Sequence, residues 1–185
     1  MKLPAFAVIA VIVSATAAAV THDWNPVDDE KLVQAVAAAA LHQDDSTIHR
    51  VTKTTFKMAD PTAALCRPDF GAPRHNPHVD YYCHVYVNEL ALKPMNSGKD
   101  SYPKGSLIIK QKYSDQRGIN TELFTVMRKM ANGYDTANND WEYSIVDASA
   151  KTVLSRGRTD SCINCHADYA STDYVTRLYM APKRK

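Results

Sequence analysis

Five consecutive residues near the end of the chain, Cys162-Ile163-Asn164-Cys165-His166, constrain its architecture more than any other feature. Two thiols three positions apart lie about one helical turn from each other, and a histidine follows directly. That spacing lets both sulfurs add to the vinyl groups along one side of a porphyrin. The next residue then lies under the iron. C-x-x-C-H is the attachment signature of a c-type haem. Cys162 and Cys165 are the expected thioether anchors. His166 is the expected iron ligand, through an imidazole nitrogen. Paired thiols serve two other chemistries. A zinc site needs two further ligands at matching spacing, and a thioredoxin-type pair needs a preceding βαβ pattern. Neither context is evident.

The opposite end of the chain points out of the cytoplasm. Lys2 precedes an unbroken apolar run from Ala5 to Val13, and Ala15/Ala17 or Ala17/Ala19 offer small residues for cleavage. This reads as a Sec-type signal peptide over residues 1–19, leaving one domain over 20–185 and a periplasmic location. The alternative is a membrane anchor, since the charge-free stretch Leu3 to His22 is about long enough to span. The 22 Lys+Arg and 20 Asp+Glu leave a net charge of +2. No basic surplus or motif points to nucleic acid. Haem attachment uses two of the four cysteines. In an oxidising compartment Cys66 and Cys83 are a plausible disulfide across the Pro-rich stretch between them, or else two separate buried thiols.

Only 19 residues follow His166 (185 − 166). Small electron-transfer cytochromes attach haem near the N-terminus and wrap the rest of the chain over it. Here the pocket must be built by what comes before. Four-helix cytochromes also place the motif late, so hydrophobic periodicity has to separate the two options. Pro26 to Gln43 is helical, with acidic residues in its first turn and an Ala/Leu/Val-rich run after them. Ile48 to Phe56 suits an edge strand. Asp60 to Pro77 and Met95 to Gly105 are rich in breakers and read as loops. Tyr81–Val87, Leu107–Tyr113 and Leu123–Met130 carry the aromatic and β-branched composition of strands. Trp141–Val146 and Thr152–Arg156 form a hairpin, and a short helix runs from Ser161 to about Ala170. The sum is an α+β domain: a mainly antiparallel sheet with an N-terminal helix and a short C-terminal haem-bearing helix.

Five segments in this order carry a resemblance: HVYVNE (84–89), YPKGSLIIKQK (102–112), FTVMRK (124–129), NNDWEYSIVD (138–147) and SCINCHADYASTDYVTRLY (161–179). Together they resemble the cytochrome P-460 family, which includes the related cytochromes c-prime-beta. The resemblance covers roughly residues 80 to 180. It implies a mainly antiparallel β fold, usually a homodimer, and a five-coordinate haem c. It also implies a lysine bonded to a meso carbon of the porphyrin. Lys110 occupies the matching place. Read alone, Lys110 interrupts an apolar strand. Burial disfavours a lysine cation and favours the neutral, nucleophilic amine. An edge-strand lysine in solvent is the other reading.

Activity at the iron requires an open sixth position. Met127, Met130, Met180, His84 and Lys112 are the candidates to fill it from the protein, which would make an electron carrier. The family resemblance implies two other outcomes. A polar pocket with a proton acceptor suits hydroxylamine oxidation. An aromatic-capped pocket suits binding of NO or CO without turnover. Asp160, Asp140 and Glu142 are candidate bases, Arg156 and Arg158 candidate donors, and Phe124 the leading aromatic cap, with Phe56 and Tyr82 behind it. His22, His42, His49, His75 and His78 lack ligand spacing and read as surface. The expectation is an oxidoreductase acting on hydroxylamine or NO, with Lys110 and Asp160 as catalytic residues and a soluble redox partner such as another cytochrome c. The alternatives are a gas binder and a six-coordinate carrier.

Overall fold

The computed structural model describes residues 26–41, 47–59, 80–98 and 101–180. The expected signal peptide, the Pro-rich stretch, Cys66, His22, His42, His75 and His78 lie outside them. Among the described residues no helix is long and apolar enough to cross a membrane.

Helix α1 (Pro26–Ala40) precedes two short strands, β1 (Ile48–Arg50) and β2 (Phe56–Lys57). β3 (Tyr82–Asn88) leads into helix α2 (Glu89–Ser97). Then β4 (Leu107–Tyr113), β5 (Thr121–Lys129), β6 (Trp141–Asp147) and β7 (Val153–Gly157) run as an antiparallel meander. Helix α3 (Asp160–His166) and a 3-10 segment (Ala167–Thr172) follow. All seven strands belong to one sheet in the order β1-β3-β4-β5-β6-β7, with β2 also pairing to β3. The α+β class is as the sequence implies.

Both faces of this sheet are covered. β3 is buried from Cys83 to Val87 without a break. A one-sided antiparallel strand would instead alternate between buried and exposed. On one face Leu32, Val36 and Ala39 of α1 join Tyr86, Ile109, Phe124, Val126 and Val146 in one apolar cluster. On the other, Val85, Val87, Ile108, Met127, Trp141 and Tyr143 pack with Met95 of α2 and Val175.

Three details depart from the sequence expectation. The stretch Ile48 to Phe56 is two strands rather than one, because Thr52 leaves the ladder. Its hydroxyl accepts from the Val85 amide at 3.2 Å and lies 2.9 Å from Nδ1 of His84. Such local side-chain bonds compete with sheet pairing. The loop expected to open at Met95 is still helix there, since Met95 to Ser97 form the last turn of α2. Asn88 caps that helix through the Ala91 amide, and Gly98 ends it at φ +71°. Pro94 within the helix hides this signal. Finally, the C-x-x-C-H segment turns from α-helix to 3-10 helix after His166.

Candidate functional site

The strand registers bring chemistry-bearing residues into rows. Val85 pairs with Lys110, and Lys110 with Thr125. In the next row Ile108 pairs with Met127, and Met127 with Tyr143. Side chains opposite one another in a ladder share a face. These six residues therefore form the floor of a cavity of about 590 Å³, and α3 supplies Cys162, Cys165 and His166 to its wall. Phe56 and Met58 before the meander, and Val175 and Tyr179 after α3, complete much of the lining.

His166 is held by the chain that follows it. Its Nδ1 lies 2.7 Å from the Tyr174 carbonyl oxygen, so Nδ1 carries the proton and donates. That leaves Nε2 unprotonated and available as a ligand. Burial chiefly pushes the imidazole pKa down to about 4; the Tyr174 carbonyl opposes this, and the charge of Lys110 adds to it. The ring is therefore neutral near pH 7, as an iron ligand must be. The Tyr143 ring lies 5.3 Å away, tilted by 44°. Its hydroxyl is buried with no hydrogen-bond partner among the described residues, so an occupant bringing an acceptor would satisfy it.

The cavity fits a covalently held porphyrin on chemistry as well as size. Two thiols one turn apart and a neutral imidazole with a fixed tautomer meet at one wall, above a mainly apolar floor. Cavities of 300 to 1,000 Å³ lined in this way are typical of cofactor sites. Among the described residues no cluster of three or more His, Cys, Asp or Glu is placed to cage a metal ion.

Other sequence candidates go elsewhere. Phe124 is fully buried, but in the cluster beneath α1, on the face away from the cavity. Phe56 takes the position at the cavity instead. His84 also faces away, bonded to Thr52 and edge-on to the Tyr113 ring at 5.8 Å. Of the candidate sixth ligands, Met127 lines the cavity; Met130, Met180 and Lys112 do not. Lys112 is buried in an ion pair with Glu122 at 2.8 Å. Asp160 is exposed at the first turn of α3 and is not part of the lining. Asp140 is used locally, accepting from the amides of Gly133 and Asp135. Glu142 and Arg156 bond to each other, and Arg156 reaches Asp29 of α1. Arg158 bonds to the Tyr134 carbonyl. His49 is half-buried, 2.9 Å from Glu89. Sequence reasoning missed Asp173, whose fully buried carboxylate organises the segment behind His166.

The family model for Cytochrome P460 matches residues 69–177. No curated protein matches the chain. The matched span is 109 residues (177 − 69 + 1), more than half of the 185. It contains β3 to β7, Lys110 and the whole C-x-x-C-H segment. A sheet floor, a late thiol pair and a neutral histidine thus meet at one cavity within the matched span, and the chain is a haem c cytochrome of the cytochrome P460 family.

Proposed function

We propose that this cytochrome is an exported haem oxidoreductase acting on hydroxylamine or nitric oxide, with Lys110 as a third covalent anchor of the porphyrin. One observation carries the proposal. Lys110 lines the same cavity as Cys162, Cys165 and His166. Its strand thus sets a lysine on the floor that faces the two thiols and the imidazole, where the edge of a porphyrin held by them would lie. The haem supplies one-electron chemistry and an iron coordination position for a small molecule. Cys162 and Cys165 hold the group, and His166 presents a neutral nitrogen from one side. Val85, Ile108 and Met127 keep water from the floor, which strengthens electrostatic interactions within the site. Export, a homodimeric assembly and a soluble redox partner such as another cytochrome c belong to the same proposal.

A second reading is a protein that binds NO or CO without turning it over. It is favoured by the lining, where no Asp or Glu appears among the described residues. A general base for hydroxylamine would have to lie within reach of its protons, and Asp160 is exposed outside the cavity. The dithionite-reduced absorption spectrum of wild type and Lys110→Ala separates these readings. A far-red-shifted Soret band that Lys110→Ala abolishes, with hydroxylamine oxidation in wild type, supports the enzyme. An ordinary high-spin spectrum that changes with CO, without turnover, supports the gas binder.

A further inference from the structure

Asp173 and Tyr174 both adopt left-handed backbone conformations, at φ +54° and +62°. Neither is glycine, and consecutive non-glycine residues in this region are uncommon and cost free energy. Such strain persists where the surroundings over-determine it, and it concentrates at functional positions. The surroundings here converge on the Asp173 side chain, which is fully buried. Its Oδ1 accepts from Lys129 Nζ at 2.5 Å, Asn139 Nδ2 at 2.6 Å and Trp141 Nε1 at 3.0 Å. Its Oδ2 accepts from the Tyr102 amide at 2.7 Å. Trp141 Nε1 also donates to the Asp173 carbonyl at 2.8 Å. One carboxylate thus ties the end of β5, the turn before β6, the start of β6 and the loop before β4 to a single point.

The product of this arrangement is the direction of one carbonyl. Tyr174 turns its oxygen to His166 Nδ1. The Tyr174 amide is fixed to the Tyr169 carbonyl at 2.8 Å, and its hydroxyl to the Ala137 carbonyl at 2.8 Å. We propose that Asp173 is the positioning residue of the proximal histidine: it holds the strained Asp173–Tyr174 pair so that the Tyr174 carbonyl sets the tautomer, orientation and basicity of His166. The inference rests on the haem c reading of the site. An acceptor on Nδ1 makes the imidazole a stronger donor to a metal, and a stronger donor favours the ferric state. Loosening the carbonyl therefore shifts the balance toward ferrous.

The test is the midpoint potential of holoprotein, with haem content measured as the pyridine haemochrome. Asp173→Asn keeps the shape and loses the charge. It is expected to move the ferric–ferrous equilibrium toward ferrous by about tenfold, an upward shift of about 59 mV for one electron. Val146→Ala, in the cluster on the far face, is the control for general destabilisation and is expected to leave the potential in place. If Asp173→Asn does not accumulate, Asn139→Gly decides. It removes one donor to Asp173 at a residue with φ +49°, which glycine accepts, and should shift the potential the same way by less. An unmoved potential in whichever variant decides, or an equal shift in Val146→Ala, overturns the proposal. Wild-type protein lacking haem c would overturn the reading beneath it, and the haemochrome assay tells these failures apart.

Discussion

Lys110 and Phe124 sit on adjacent strands, one position out of register, and leave the sheet on opposite sides. Lys110 is paired with Thr125 and lines the cavity, whereas Phe124 is paired with Gln111 and is buried under α1. Phe124→Ala should therefore cost about 3–5 kcal/mol of stability, as for other large-to-small core changes, while leaving CO affinity unchanged. Phe56→Ala should do the reverse, perturbing CO affinity at a smaller cost, because Phe56 is only half-buried. Denaturant unfolding and CO titration of the reduced protein check both. A changed CO affinity in folded Phe124→Ala would count against this division of the faces.

Met127 is the one candidate sixth ligand from the protein that reaches the cavity. It also packs in the core beside Ile108 and Tyr143. If packing is its role, Met127→Leu keeps volume and apolarity. It should cost under about 1.5 kcal/mol and leave the reduced spectrum as it was. Loss of sharp reduced bands in the variant would instead identify Met127 as a ligand and the protein as a carrier.

Glu142 stands between two guanidinium groups. It accepts from Arg128 Nε and Arg156 Nε, each at 3.0 Å, and Arg156 continues to Asp29 at 2.5 Å. The carboxylate and Arg156 are nearly buried, whereas Asp29 is partly exposed. Glu142→Gln leaves two cations under-compensated and should cost about 3–5 kcal/mol. Asp29→Asn should cost no more than about 1 kcal/mol. Both changes lie on the α1 side, so haem content per folded molecule should be unchanged in each. Equal losses in the two variants would argue against this asymmetry.

Gly98 closes α2 at φ +71°, and a Cβ there would collide with Nη1 of Arg177. Arg177 in turn donates from Nε to the Met95 carbonyl at 3.1 Å. Gly133 has φ +92° with open space around it. Gly133→Ala should therefore show the left-handed penalty alone, about 1–2 kcal/mol. Gly98→Ala should add the displacement of Arg177. In a chain of this size each kcal/mol lowers the melting midpoint by about 2–4 °C. Thermal melts showing Gly133→Ala to be the more damaging change would contradict the crowding at Gly98.

The attachment residues were legible because adjacency encodes them: Cys162, Cys165 and His166 need only one turn of helix. Lys110 was legible through the family resemblance alone, since its strand read by itself suited a solvent-facing edge lysine as well. The facing of Phe124 and His84 was not, for a physical reason. A sheet packed on both sides gives continuous apolar runs, and such runs do not say which residue looks which way. α2 was obscured by Pro94. Asp173 left no local signal at all, since its partners Tyr102, Lys129, Asn139 and Trp141 lie 32 to 71 positions away in the chain.

The late place of α3 also orders events in time. Lys110 stands 56 residues ahead of His166 in the chain (166 − 110), and the hairpins around it need only microseconds to form. β3 to β6 are neighbours in sequence and in space, so their pairing asks nothing of the residues still to come. The floor can therefore assemble from its own strands, and the thiols, the imidazole and the residues after them close onto a surface that does not depend on them.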